Sequence, residues 1–591
     1  MKKKYGSIGL SIFALALLIV GTAFWIRVFY TSIREYRSPL DASELAPQQP
    51  VLSAPTSKMV IVLVSGLGYD DAQALNLPVL DQLQRAGATA AVESIPPTYS
   101  QTAWATLISG APPETNDAPP VDLRFEDLRP LKIDTIFTRA HQANLKTAVL
   151  GPAMWSKLLA PGQINHTFWV EESGPKADQT ILEAALPIIE NDQADLVLLH
   201  FTQVNQAAQA QGGTSSEAYR QAALRVDTYL EQIRAAIDLN HGVLVVVSDH
   251  GHIGEGGHGG NEVEVIWQPF VMIGQHIIPG IFSDIYQTDL APTLATLLGL
   301  PVPTAAQGRI LFEMMQLTQA DRTAAQLALA QQRVALAGAY LTQLEGPDAA
   351  LPDQLLADLN QAQTTFNRNN LSGALQLATL AQSEADAQMA AARQSRLRAE
   401  EVLRFIWAGL IALIWFVIMW RRRGLHAGSI VIAAALTITL YHSLYQLQGY
   451  SYSLSSVRSF SELPIDIARQ TAVSLLIGGG LVLVLLMLTK EDNWLTLLGT
   501  GYGYGMLVTF VFAMPLLWAY WQNGFTVTWR LPEVVPAYWQ LTALFQVMVS
   551  AILALLLPWP IMMLNLFVSL IRHYLSGASS QKTDVLPGLH L

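Results

Sequence analysis

Long unbroken apolar runs at the two ends of the chain enclose a middle region where apolar positions come in short bursts between polar ones. The first long run, Gly9 to Tyr30, is interrupted near its end by Arg27 and preceded by Lys2, Lys3 and Lys4. About 20 apolar residues cross a bilayer. A cleaved signal peptide would have a shorter apolar core and a small-residue cleavage site, whereas Phe24, Trp25 and Phe29 flank the end of this run. The pattern predicts an uncleaved signal anchor with its lysines in the cytoplasm. No comparable run follows from Thr31 to Glu401. Five then come in succession: Phe405 to Trp420, Ser429 to Tyr445, Ala472 to Thr489, Leu495 to Tyr520 and Leu541 to Ile571. Threading them brings Arg421, Arg422, Arg423, Lys490 and Arg572 to the cytoplasmic side, against Arg458, Arg469 and Arg530 on the other. The expectation is six spans, both termini inside and the large middle region outside the cytoplasm. The last run is too long for one straight crossing, and Pro558 and Pro560 are expected to kink it or turn its end along the interface.

Within the middle region, residues 31–57 hold Pro39, Pro47, Pro50 and Pro55 among polar residues and read as a linker. Met59 to Val64 is a continuous aliphatic run, the signature of a strand buried on both faces of a parallel sheet. Ala72 to Ala86 reads as the next helix and Ala88 to Val92 as a short strand. Aliphatic bursts recur at Thr147 to Leu150, Leu196 to Phe201 and Val243 to Val247, each after a helical stretch: Thr135 to Gln142, Gln179 to Ile189 and Tyr219 to Ile237. Strands alternating with helices predict an α/β fold. Ligands in such sheets sit beyond the carboxyl ends of the strands, which directs attention to the residues after Val64, Phe201 and Val247. Residues 318–400 are rich in Ala, Gln and Leu. Leu327, Ala330, Val334, Ala337, Leu341 and Leu344 keep an a/d spacing until Gly346-Pro347, and two further helical stretches, Asp353 to Asn367 and Ser372 to Arg404, follow. They predict a helical bundle or stalk whose last helix can run unbroken into the second span.

Only 14% of residues are charged, against about 25% in soluble domains, as a membrane protein requires. The net charge of −11 with no long basic run argues against nucleic acid as partner. The absence of cysteine excludes disulfides, thiolate metal sites, iron–sulfur clusters and cysteine nucleophiles. In the spans, Gly499, Gly501, Gly503 and Gly505 have the spacing that lets a neighbouring helix approach. His442 and Gln446 share a face suited to hydrogen bonds between helices.

The sharpest chemical signal is Val247-Ser248-Asp249-His250-Gly251 followed by His258-Gly259-Gly260. A buried strand ends and offers a carboxylate and an imidazole, and a glycine-rich loop returns a second imidazole. This donor set suits zinc or manganese. A second string runs from Pro97 through Ser100 and Thr102 to Gly110. It places a hydroxyl just before a helix, where the free N–H groups stabilise an anion. That is a place for a nucleophile, or for an ordinary N-cap.

Together these strings resemble the type I phosphodiesterase/nucleotide pyrophosphatase branch of the alkaline phosphatase superfamily. The resemblance covers roughly Met59 to Leu311. It rests on Val62-Leu63-Val64-Ser65-Gly66-Leu67, Leu77-Pro78-Val79-Leu80-Asp81-Gln82-Leu83, the Ser100 string, Thr135-Ile136-Phe137, the Asp249 and His258 strings, and Thr288-Asp289-Leu290-Ala291-Pro292-Thr293. It implies a mostly parallel sheet flanked by helices, two metal ions and a Ser or Thr nucleophile. The domains are then a signal anchor at 1–30, a linker at 31–57, a phosphodiesterase-like domain at 58–316, a helical bundle at 317–402, five further spans within 403–573 and a cytoplasmic tail at 574–591.

By resemblance, Ser100 occupies the nucleophile position, Asp249 and His250 are ligands of one metal, and His258 is a ligand of the other. Three further ligand positions are degenerate: Ser65 stands for an Asp, Asn205 for an Asp and Gln209 for a His. Asn116-Asp117 replaces a His-Gly as well. Loss of two carboxylates weakens the second site, so no more than one tightly held zinc or other divalent ion is expected. His200, His252, Glu255 and Glu262 lie near enough in sequence to compensate. Two readings remain open: an eroded, weakly active or non-catalytic binding protein, or an active phosphodiesterase or phosphoethanolamine-transferase-like enzyme. The second acts on a phosphoester or lipid-linked substrate, by analogy with ethanolamine phosphate transferases of lipid anchors, which share this layout.

Overall fold

A computed structural model describes residues 2–40, 45, 52–420, 426–457 and 462–580. Pro47 and Pro50 of the linker, Arg421, Arg422, Arg423 and Arg458, and the tail beyond 580 lie outside the described residues.

The α/β domain is built on nine strands: β1 (Lys58–Val64), β2 (Ala88–Glu93), β3 (Thr147–Pro152), β4 (His166–Val170), β5 (Leu196–Phe201), β6 (Gly242–Val247), β7 (Trp267–Gly274), β8 (Gly280–Ile281) and β9 (Ile285–Tyr286). Their order is β4-β3-β5-β1-β6-β7-β2-β8, with β9 also on β2. The first five in this order are parallel, while β7 is antiparallel to both β6 and β2. Every residue of β1, β5 and β6 is buried, which is why these runs carry no polar alternation. The strand β7 was not evident in the sequence because Pro269 interrupts it. The proline is tolerated because the β6 ladder ends one residue away, at Val247 opposite Phe270, so its missing N–H breaks no bond on that side. The stretch expected as one helix at Ala72 to Ala86 is two, Tyr69–Ala74 and Pro78–Ala86. Asn76 adopts a left-handed φ of 57° between them, and a proline cannot continue the first helix.

Beyond the sheet, three helices, Gln319–Glu345, Asp353–Asn367 and Leu371–Trp420, form the bundle. The last is 50 residues long and continues from the bundle into the apolar second span, as expected. Leu327, Ala330, Val334, Ala337 and Leu341 are buried.

Among the described residues, six helical stretches are long and apolar enough to cross a membrane: Ile8–Arg34, Leu371–Trp420, Ala427–Leu447, Leu463–Thr489, Trp494–Asn523 and Val534–Leu575. The last consists of two helices, Val534–Leu556 and Pro558–Ser580, broken where Pro558 cannot donate to the helix. The glycines of the fifth span do permit close approach. A Cβ on Gly501 would lie 2.9 Å from Pro558, and one on Gly505 2.5 Å from the Ala554 Cβ. His442 bonds through Nδ1 to the Tyr452 hydroxyl at 2.8 Å.

The segments joining these helices sort to two ends. At one, Arg34 pairs with Asp127 of the α/β domain, Arg404 donates to Gln522 O, and Val527 N donates to Ser32. At the other, His426 meets Glu491, Asn565 donates to Glu491 O, and Arg572 donates to Met487 O.

Candidate active site

The strands β5, β1 and β6 are neighbours, so the segments leaving their carboxyl ends converge. Ser65 follows β1, Asn205 and Gln209 lie on the helix Gln203–Ala210 after β5, and Asp249 to His258 follow β6. Ser100 is the first residue of the helix Ser100–Ser109, all ten residues of which are buried. All seven residues picked from the sequence gather here.

The Ser100 Oγ lies 2.9 Å from His250 Nε2 and 3.4 Å from His258 Nε2. The two imidazoles stack, with centroids 4.0 Å apart. His250 Nδ1 lies 3.0 Å from Gly251 O, which orients a neutral ring so that its Nε2 lone pair faces Ser100. His258 also lies 3.3 Å from the Asp122 carboxylate and 3.3 Å from the Gln209 amide. Gln209 in turn donates to Asn205 at 2.9 Å. The two degenerate positions therefore support each other and His258.

A third imidazole, that of His252, lies beside the expected Asp249, His250 and His258. Asp249 accepts from Ser65 Oγ (2.9 Å), Trp104 Nε1 (2.7 Å), Gly66 N (3.0 Å) and His250 N (2.9 Å). Four donors approach its two oxygens, and its Oδ2 also lies 3.6 Å from His250 Nε2, the atom that faces Ser100. Ligand atoms of His250, His252 and His258 all lie within 4.8 Å of one another, and all three are buried. Neither ring nitrogen of His252 makes a hydrogen bond of good geometry among the described residues, although the backbones of Gly256 and Gly257 lie close enough to act on the ring. A buried polar atom left unpaired costs about 1–3 kcal/mol, and a cation held by the three imidazoles would remove that cost. The residues present thus fit a single metal ion. Gly66 makes room for the third imidazole: its φ is +82°, and a Cβ there would sit 2.6 Å from His252 Nε2.

Of the other residues considered, His200 accepts from Trp155 and packs edge-on against Trp104, outside the trio. Glu262 accepts from Ser455. Trp104, Asp122 and Ser455 were not picked from the sequence. Trp104 lies one helical turn after Ser100, a spacing that carries it to the same face. Nothing in the local sequence marks Asp122 or Ser455.

Burial holds both His200 and His250 down to about 4, and His252 well below the usual histidine range. All three are therefore neutral lone-pair donors at physiological pH. Burial alone would raise Asp249, but the imidazoles of His250 and His200 and the Trp104 N–H bring it below its ordinary value.

Two structures enclose the site on the side of the membrane helices. A cavity of 750 Å³ is bounded by His258, Asp122 and Gln209 at one end and by Tyr30, Ile33 and Arg34 of the first span at the other. The segment between the third and fourth spans docks on the glycine-rich loop: Gly260 N donates to Ser455 Oγ at 2.9 Å, and Ser455 donates to Glu262 at 2.7 Å. A Cβ on Gly257 would collide with Ser455 O.

Residues 126–259 match the family described as Type I phosphodiesterase / nucleotide pyrophosphatase. That match lies within the α/β domain, and the same chain carries helices long and apolar enough to cross a membrane. Among characterised proteins, the chain is similar to the catalytic subunit of GPI ethanolamine phosphate transferase 3 of Mus musculus, with 26% identity over 343 residues, covering 53% of this chain and 31% of that protein. It is also similar to the catalytic subunit of GPI ethanolamine phosphate transferase 2 of Homo sapiens, with 23% identity over 333 residues, covering 51% and 33%. The chain spans about a third of the length of these relatives. Among solved structures, murine ectonucleotide pyrophosphatase / phosphodiesterase 5 aligns with a TM-score of 0.35 and 13% identity, over 42% of this chain and 96% of that one.

Proposed function

We propose that this protein is a membrane-bound, metal-dependent phosphoester-processing enzyme in which Ser100 is the nucleophile and His250, His252 and His258 hold one divalent ion, zinc by donor type. The observation that carries this reading is the Ser100 hydroxyl, buried at a helix N-terminus and within 3.4 Å of two imidazoles of the trio. Bound there, the ion would favour the ionised oxygen nucleophile and counter charge on a phosphoryl oxygen. The chain's own groups supply the rest. Helix N–H groups favour the anion, while Gly251 O and Gln209 hold the His250 and His258 rings through their Nδ1 atoms, so that the Nε2 atoms facing Ser100 are the ones that would hold the ion. Attack forms a bond from Ser100 Oγ to phosphorus as the leaving oxygen departs, and an acceptor hydroxyl or water then takes the phosphoryl group.

The cavity running from His258 to the first span supports a substrate carried by a lipid, and the named activity of the relatives suggests phosphoethanolamine transfer. By the charge threading, the domain acts outside the cytoplasm. A specific observation keeps the binding-protein reading alive: Ser65, Asn205 and Gln209 stand at ligand positions of the family, and here Ser65 bonds Asp249 while Asn205 and Gln209 bond each other and His258.

The test uses the full chain purified in detergent with zinc. It should release the headgroup of a radiolabelled phosphatidylethanolamine, or slowly cleave an aryl phosphodiester. Ser100→Ala should cut that rate at least a hundredfold with zinc content unchanged. Turnover indifferent to Ser100→Ala would sink the nucleophile assignment. Absence of turnover with one zinc bound would favour the binding protein.

A further inference from the structure

A second, smaller cavity of 140 Å³ lies where the segment after the third span meets the start of the fourth. Tyr445, Tyr450, Glu462, Asp466 and Gln470 line it, and Val457 separates it from the cavity that reaches His258. Its polar groups converge. The Tyr450 hydroxyl donates to Asp466 Oδ2 at 3.3 Å, while Arg469 pairs with the other oxygen, Oδ1, at 3.1 Å, its own side chain 63% exposed. The Tyr445 and Tyr450 rings lie with centroids 5.1 Å apart, and Tyr445 stacks on Tyr452. Gln470 is only 2% exposed. It donates its amide N–H to Gln448 at 2.8 Å, and its Oε1 has no partner among the described residues.

A buried amide oxygen left without a donor is costly, and here it lines a cavity that also offers two carboxylates and two aromatic rings. Each feature asks for the same ligand. An ammonium group brings three N–H donors, is attracted to carboxylates, and is stabilised by tyrosine faces. A calcium ion would ask for six to eight oxygens instead. At about 30 Å³ per water, the volume suits a small alkylammonium. We propose that this cavity binds the ammonium group of a small amine, free or carried as a lipid headgroup. It contains none of the Ser100–His250–His258 cluster, so it does not depend on the catalytic reading.

The experiment titrates ethanolammonium chloride against the full chain in detergent and follows its thermal midpoint, with sodium chloride at equal ionic strength as control. A saturable rise specific to ethanolammonium is expected. Ser100→Ala should keep it, and Asp466→Asn with Gln470→Leu should weaken the affinity at least tenfold. Should that pair fail to fold, the exposed Glu462→Gln should still weaken it threefold or more. Equal shifts with sodium chloride, or unchanged affinity in these variants, would overturn the proposal. Repeating the titration in nanodiscs separates the sources. Phosphatidylethanolamine discs suppress the response relative to phosphatidylglycerol discs if a lipid headgroup is the ligand, and leave it intact if the amine is free.

Discussion

At the residue scale, the site keeps the Asp249 carboxylate but holds Ser65 and Asn205 where the family resemblance leads one to expect two more carboxylates. Three imidazoles lie close enough together to hold an ion, and Asp249 accepts from Ser65, Gly66, Trp104 and His250. On the proposed reading, removing His252 takes away one of three ligands without changing Ser100 itself. Zinc in His252→Ala, measured after dialysis of the full chain, should fall from about one ion to well below half. Equal retention would show that His252 is not a ligand. A converse variant adds charge. Ser65→Asp sets a second carboxylate within hydrogen-bond distance of Asp249, and two carboxylates so close cannot both stay ionised without a cation between them. With Asn205→Asp and Gln209→His also present, the full chain should take up a second zinc. Without added metal its thermal midpoint should fall, because the closed Ser65–Asp249 and Asn205–Gln209–His258 contacts are lost. If no second ion binds, the backbone no longer has two-metal geometry. The positions of Ser100, His250 and His258 were legible because each follows a strand end or opens a helix within a recognisable string. The part played by His252 was not, since sequence proximity to His250 does not say which way a ring points.

At the element scale, what the sequence revealed was periodicity, and what it concealed was anything depending on partners far along the chain. Buried strands of pure aliphatic character stood out, while β7 was masked by a proline that only the end of the β6 ladder makes harmless. The helix Gln203–Ala210, which presents Asn205 and Gln209, is another such case: it starts against a residue on a different helix. Asp178, on Pro175–Glu190, accepts from Thr202 N at 3.0 Å and Gln203 N at 2.9 Å. Burial pushes its carboxyl up to about 6, against the hydrogen bonds that lower it. An acid raised in the folded state binds its proton there at pH values where the unfolded chain has already lost it. Its contribution to stability is therefore full below the unfolded value near 4 and declines as pH rises to about 6, by about 3 kcal/mol in all. The difference in thermal midpoint between wild type and Asp178→Asn should shift across pH 4–6, with wild type losing ground as pH rises, and stay level above. A difference constant over that range would mean that Asp178 is ionised throughout.

At the scale of the whole molecule, the membrane helices and the catalytic-type domain form one working surface. The first span walls the large cavity, and the segment carrying Ser455 braces the glycine-rich loop that ends in Gly260. Both contacts lie at the end of the helical bundle that faces the α/β domain, while Lys490 and Glu491 lie at the other. Positive charge was the only guide to sidedness in the sequence, and it assigns the Lys490 end to the cytoplasm. The chain contains no cysteine, so single introduced cysteines report their side without background. Lys176→Cys, exposed on the α/β domain, should react in intact cells with a membrane-impermeant maleimide. Asp492→Cys, exposed between the fourth and fifth spans, should react only after the membrane is opened. The reverse pattern would place Ser100 and the histidine trio on the cytoplasmic side and require a substrate from that leaflet. Labelling of both positions in intact cells would break the alternation of the spans between them, and with it the arrangement that sets the domain against the membrane.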